Sequence, residues 1–307
     1  HYIWCNDTTD PYADGEAMYT QNFSSPSWTS ITGDLAFQTF FGNLSSFIDN
    51  VDDVQGDAHA DSIMDSTIAG DAYYQAISGS TVGGTSYPGS VTPAQLPLPL
   101  TAAHLTAWKA AAEAGGTISG DCDVDSGCAN TLGPTKITGN LNADNNKTIT
   151  VTGTIWVEGN FTTDNNVVVE CDVSYGADSC VIIADGYMRF ENNSDFRGSG
   201  DSDSFILLIS TKEDCLGTTG TGCTTMSGGH RVALYHSNNA ATGGVFFSQE
   251  SVAGLENNAS VSSIIARGAI IENNAILNYD NDLQDLNISN GGGGGGGWLV
   301  EDWREIE

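Results

Sequence analysis

Six side chains in the second half of the sequence have types suited to joint chemistry: Glu158, Asp185, Arg189, Glu191, Glu256 and Glu272. Two carboxylates a few ångströms apart, with a basic neighbour, form the machinery of glycoside cleavage. Glu256 and Glu272, however, each stand directly before an Asn-Asn-Ala phrase, so they read as parts of a repeat. With 39 acidic residues in the chain, some clustering is expected by chance. A second candidate is Asp121-Cys-Asp-Val-Asp-Ser-Gly-Cys128, where Asp121, Asp123 and Asp125 alternate like the start of a calcium loop. Its glycine comes one position late and no Glu stands at the twelfth position, which favours an acidic turn over calcium. The histidines (His1, His59, His104, His230, His236) are dispersed. Neither a His-Glu-x-x-His helix nor a Gly-x-Ser-x-Gly elbow occurs, and the glycine run lacks the lysine of a phosphate loop.

Six of the seven cysteines fall in close pairs: Cys122/Cys128, Cys171/Cys180 and Cys215/Cys223. Each pair brackets a loop of small polar residues and reads as a disulfide pinching an excursion, which implies an oxidising compartment. Zinc would require a matching second half-site, and none is spaced for it. Cys5 is left over. His1-Tyr-Ile-Trp-Cys reads as the middle of a longer chain, and Cys5 could pair upstream of it.

The elements that must position these residues are set by a recurring asparagine pair, at Asn145, Asn165, Asn192, Asn238, Asn257 and Asn273, each followed by a second Asn. The intervals are 20, 27, 46, 19 and 16 residues. Short β-branched and aromatic strands lie between the pairs. A period near 16–20 residues of strands and polar corners predicts a β-solenoid. Asn suits the corners because it tolerates the left-handed conformation, and stacked asparagines can form ladders. The 27-residue interval holds the Cys171–Cys180 excursion. The 46-residue interval holds Thr211 to His230 and is expected to span two turns with one pair missing. Alternate strand residues are expected to point into a narrow core, the others outward.

A tighter period of 14 precedes this, carried by Val54-Gln-Gly-Asp, Ile68-Ala-Gly-Asp and Val82-Gly-Gly-Thr. Four segments follow: 1–50, an irregular N-terminal cap or stalk; 51–90, a short 14-residue-repeat solenoid; 91–136, a Pro-rich connector and helix; 137–307, the main solenoid with a Gly-rich C-terminal cap. Thr101 is placed to cap a helix over Ala102–Ala114 that Gly115-Gly116 ends, and the helix is expected to plug the open end of the main solenoid. After Gly291–Gly297, Trp298 and Trp303 are expected to fold back as the C-terminal cap.

Lys plus Arg total 9 against 39 Asp plus Glu, a net charge of −30 over 307 residues. Such a surface repels nucleic acid and anionic lipid, which excludes DNA, RNA and membrane-surface partners. The 39% apolar content, in alternation, argues against disorder.

Several phrases carry a family likeness: Gly70-Asp-Ala-Tyr-Tyr, Ser80-Thr-Val-Gly-Gly-Thr-Ser-Tyr-Pro-Gly, the Leu98-Pro-Leu connector with its Trp108-Lys helix, Leu132-Gly-Pro-Thr-Lys-Ile-Thr-Gly-Asn-Leu, and Gly153-Thr-Ile-Trp-Val-Glu-Gly-Asn. With the Asn-Asn-Ala corners and the Gly-rich ending, they cover roughly residues 50–307. In this order they resemble the β-solenoid ectodomains of prepilin-like, type IV pilus-assembly surface proteins of uncultured small-genome bacteria. The resemblance implies an all-β, right-handed parallel β-helix, secreted and non-catalytic, with a structural or adhesive role. It implies pilus or surface-filament subunits, including other copies of this chain, as partners. It carries over no chemical residue, and no cofactor is expected beyond the calcium candidate.

Two rivals use the same scaffold. A glycan-binding or ice-binding module would show an ordered row of outward Thr, Asn or aromatic residues, the aromatic candidates being Tyr73, Tyr74, Trp156, Tyr187, Phe190 and Tyr235. A β-helix polysaccharide lyase or glycosidase would show the carboxylates converging in a groove.

Overall fold

The computed structural model describes residues 57–90 and 100–277, positions 47–49, 51 and 54, and two short strand pairs nearer the termini. Contacts divide the chain into two compact units that meet in sequence between Leu96 and Pro97.

In the C-terminal unit every coil contributes three short strands, and each strand pairs in parallel with its equivalent one coil later. On the first face Thr117–Ile118, Thr135–Ile137, Ile155–Val157, Cys180–Ala184 and Ile206–Ser210 stack in that order. On the second face Cys122–Asp123, Leu141–Ala143, Phe161–Thr163, Met188–Phe190 and Leu234–Ser237 do the same. The third face holds Thr131–Leu132, Thr148–Val151, Val168–Cys171 and Asp195–Arg197. In the last coils the strands run on through the corners, as Ala241–Glu256 and Ser260–Ile271, with register shifts where they bend. The fold is an all-β parallel β-helix with one α-helix among the described residues, as the repeat predicts.

Period-two alternation supplies the core. Ile137, Leu141, Ile149, Val151, Ile155, Val157, Phe161 and Val169 are fully buried, each such side chain contributing roughly 1.5–3 kcal/mol. Phe161, Phe190, Phe196, His236 and Phe246 form a continuous column of ring contacts through successive coils.

Three expectations are corrected. The first coil begins at Thr117, not Ile137; the Cys122–Cys128 excursion sits inside it and hides its period. The 46-residue interval is a single coil, since Met188 pairs directly with Leu234 and Asn193 N donates to Asn238 O. No asparagine pair is missing there; the extra length is all insert. Finally, the first face is not half-exposed throughout: every residue of Cys180–Ala184 and Ile206–Ser210 is buried. Uninterrupted apolar runs such as Phe205-Ile-Leu-Leu-Ile mark strands covered on both sides.

The helix spans Ala102–Gly115, capped by Thr101, whose Oγ1 accepts from His104 N while Thr101 N donates to His104 Nδ1. It does not plug an end. It lies against the first-face strands Thr135–Ile137 and Ile155–Val157, with Trp108 and Ala112 buried. Trp156 and Lys136 point outward there and give the helix an amphipathic surface to cover.

In the N-terminal unit the 14-residue period is the pairing register: Ala58, Ala72 and Ser86 align, as do Ile63 with Ile77 and Ile68 with Val82. Ile63, Ile68 and Ala72 are its buried core. The expected N-terminal cap over residues 1–50 lies largely outside the described residues, apart from the pair Met18–Tyr19 with Thr29–Ser30 and the strand Phe47–Asp49. Of the C-terminal cap, only the antiparallel pair Asn287–Ile288 with Trp298–Leu299 is described. Cys5 and Trp303 lie outside the described residues.

Candidate functional site

All six asparagine pairs adopt positive φ, from 50° to 63°, which turns the chain sharply at one corner of the helix. Their side chains form two axial ladders. Asn166 Nδ2 donates to Asn146 Oδ1 at 3.1 Å, and Asn193 Nδ2 to Asn166 Oδ1 at 3.0 Å. In the neighbouring column Asn257 donates to Asn238 at 3.2 Å, Asn238 to Asn192 at 3.1 Å, and Asn192 to Asp164 Oδ1 at 2.5 Å. A further ladder, missed in the sequence, runs along another corner. Asn140 N donates to Asp121 Oδ1 (2.7 Å), Asn160 N to Asn140 Oδ1 (2.8 Å) and Tyr187 N to Asn160 Oδ1 (3.0 Å). Its signal was the Gly before each: Gly120-Asp, Gly139-Asn, Gly159-Asn, Gly186-Tyr.

The three expected disulfides are formed: Cys122–Cys128, Cys171–Cys180 and Cys215–Cys223, with Cα–Cα distances of 5.3, 5.6 and 5.8 Å. They point to an oxidising environment. The third closes its small polar loop within the longer Thr211 to His230 insert. Cys215 is fully buried and fixed to the following coil, where its N donates to Ser251 Oγ and its O accepts from Val252 N. Cys223 is half-exposed and stands inside the 211–230 insert, so the bond closes an inner loop of that insert and leaves Thr224 to His230 beyond it. The insert is held to the coils by hydrogen bonds to Asp185 and Glu256 and by the approach of His230 to Glu272. No helix among the described residues is long and apolar enough to cross a membrane.

The calcium candidate is not assembled. Asp121 belongs to the corner ladder, Asp123 Oδ1 accepts from Asp125 N, and Asp125 Oδ2 accepts from Asp144 N. Each carboxylate thus serves a different backbone amide, and no three metal-ligating groups converge among the described residues.

The six chemistry-bearing residues fall on two corners. At the first, Glu158 and Asp185 sit on successive coils and anchor the helix. Glu158 pairs with Lys136, which also meets Glu113; the two glutamates raise the Lys136 pKa, Glu158 the more. Asp185 receives Lys109 Nζ at 2.5 Å, Trp156 Nε1 at 3.0 Å and Thr211 Oγ1 at 2.7 Å. Lys136 Nζ stands 4.2 Å from the Trp156 ring centre, a cation–π contact.

At the second corner Glu191, Glu256 and Glu272 precede their asparagine pairs, in column with Asp144 and Asp164. Glu191 pairs with Arg189, and burial raises its carboxyl pKa despite that partner. Glu256 is fully buried. It accepts from Ser227 N and Oγ and from the Tyr235 hydroxyl. Burial, then this bond, pushes the Tyr235 pKa far above its ordinary value, so the phenol stays a donor. Glu272 meets His230 Nε2 at 3.4 Å. Ser227 and His230 both belong to the 211–230 insert, whose Met226 packs on Gly254, where an added Cβ would lie 2.3 Å from Met226 Sδ. These acids hold the insert down on the β-helix.

The aromatic glycan candidates do not form one row; the asparagines do, with their side chains bonded to one another along the ladders. Phe190, Tyr74 and Tyr235 are buried, and Trp156 lies beneath two lysines. Tyr187 is half-buried. Tyr73 stacks between His59 and Tyr87, at ring separations of 4.1 and 4.5 Å, in the N-terminal unit.

Among the described residues lies a cleft that no motif announced. It has a volume of about 410 Å³ and opens on the third face. Its floor is a register column, Thr150, Glu170 and Arg197, one residue from each of three adjacent strands. Its walls are the disulfide-pinned turn after Cys171 and the turn Gly198 to Asp201. The walls are tied together: Ser204 Oγ donates to Asp178 O at 2.7 Å, Phe205 N to Ser179 Oγ at 2.9 Å, and Ser199 Oγ to Gly176 O. Asp195 binds Arg197 through both Nε and Nη2, raising its pKa.

Comparison with protein-family models, with curated proteins and with solved structures finds no match to this chain.

Proposed function

We propose that this chain is a secreted structural or adhesive scaffold, displayed at a cell surface in association with pilus-like filaments. The observation that carries the reading is where the polar groups go. The asparagines and the Gly-Asn corners are joined axially, coil to coil. The acids that could have served catalysis anchor the helix and the insert instead. Buried charges held by fixed donors rigidify a structure. Three disulfides fit residence outside the cytoplasm, and the surplus of acidic residues keeps such a surface soluble and apart from anionic lipid. The filament association draws its support from the sequence resemblance to prepilin-like surface proteins.

The test is peptide mass spectrometry on material sheared from intact cells, with alkylation to score the thiols. The expected result is enrichment in the sheared fraction with all six paired cysteines oxidised. Recovery in the cytoplasmic fraction with free thiols would sink the proposal.

A further inference from the structure

We infer that the third-face cleft is a binding site for a neutral carbohydrate, an assignment that rests on the surface-scaffold reading and supplies its ligand. The cleft is built before any ligand arrives. Its floor residues are fixed by strand register, and one wall is pinned by the Cys171–Cys180 disulfide. The opposite wall is tied to the first by three hydrogen bonds from serine and backbone groups. A preformed cavity of about 410 Å³ lies in the size range of small-molecule sites.

The lining selects the chemistry. Glu170 is half-buried on the floor, and its carboxylate makes no hydrogen bond or ion pair among the described residues. It is a free acceptor for two hydroxyl donors. Arg197, oriented by Asp195, offers its remaining guanidinium hydrogens beside it, and Thr150 adds a hydroxyl that donates or accepts. Val173 on the wall is 81% exposed, the most of any described large apolar residue; Tyr87 follows at 38%. A side chain so placed suits the C–H face of a sugar ring. Paired donors and acceptors in a row, with one apolar wall, match vicinal hydroxyls. Three carboxylates (Glu170, Asp172, Asp201) against one guanidinium repel phosphorylated, sulfated or uronic ligands.

The experiment is calorimetric titration of the full chain with neutral oligosaccharides of glucose, mannose, galactose and N-acetylglucosamine. Binding of at least one is expected, little changed by salt. Glu170→Gln and Arg197→Gln should each weaken it at least about tenfold, the usual effect of removing a hydrogen bond to a charged group. Glu170→Gln removes no internal bond, so its melting temperature should match the parent. Val173→Asp is a second probe that leaves the floor intact and should also lose binding. Absence of binding to every neutral sugar would overturn the assignment, as would parental affinity in Glu170→Gln, or salt-sensitive binding of charged oligosaccharides or basic peptides alone. Surface shearing separates the two ideas: a sheared, oxidised protein that binds no sugar ends the cleft assignment and leaves the scaffold standing.

Discussion

At the residue scale, the asparagine corners join two tasks that are usually separate. Asn166 holds φ at 63° and also links two coils through its side chain. Alanine there loses both bonds and meets the steric cost of the left-handed region, about 1–2 kcal/mol; glycine keeps the turn and loses only the ladder. Urea unfolding should place Asn166→Ala about 2 kcal/mol below the parent and Asn166→Gly about 1. Equal losses would mean the ladder alone matters. His236 makes a second prediction. Burial among phenylalanines lowers its pKa to about 3, well below the ordinary 6.5. As pH falls the unfolded chain takes up the proton first, so this contribution to stability is complete above about pH 6.5. It is lost at about 1.4 kcal/mol per pH unit down to about pH 3. Replacing His236 by Leu should flatten that acid limb; an unchanged slope would place the acid sensitivity elsewhere. The positive φ of these corners was legible from the repeated Asn pairs. The partners of Glu256 were not, because Ser227 and Tyr235 come from separate segments joined only by the fold of the insert.

At the element scale, the coil period could be read wherever corners recurred without interruption, and misread where excursions intervened. Cys122–Cys128 hid the first coil, and the long insert imitated a missing one. The pairing of Cys215 with Cys223 was legible from their spacing, as was the extent of the insert from Thr211 to His230, but not the contacts that hold it to the coils. The helix was legible to within a residue from Thr101 and Gly115-Gly116, but its docking place was not, since Trp156 and Lys136 look like any outward strand residues. The Gly-Asn corner ladder depends on close approach. A Cβ on Gly159 would lie 2.5 Å from Asn140 Oδ1 and 2.6 Å from Gly139 O. Gly159→Ala should therefore cost about 1–3 kcal/mol in thermal or urea unfolding, although it adds one methyl group. A neutral effect would show that the corner yields easily. The disulfides lie in excursions, with separations of 6, 9 and 8 residues, outside the axial ladders. Each short loop constrains the unfolded chain by less than about 3 kcal/mol. Mild reduction should loosen the inserts while circular dichroism keeps its strand signal. Collapse of that signal would make the disulfides, not the coils, the basis of the fold.

At the scale of the whole molecule, the repeat carried the fold class, and the use of the fold stays a proposal. The acidic surplus argues against nucleic acid as a partner on electrostatic grounds, and the repeat foretells the parallel β-helix. The third-face cleft was invisible because Thr150, Glu170 and Arg197 are brought together only by register across three coils. No single stretch of sequence contains them. The ladders, the anchored insert and the preformed cleft are the features on which the proposal of a display scaffold rests. The most direct test of that claim is immunogold electron microscopy of intact cells and sheared surface material, using antibody raised against this chain. The account predicts label on surface filaments in both samples. Label confined to the cell interior, or found only on free particles in the medium, would contradict it.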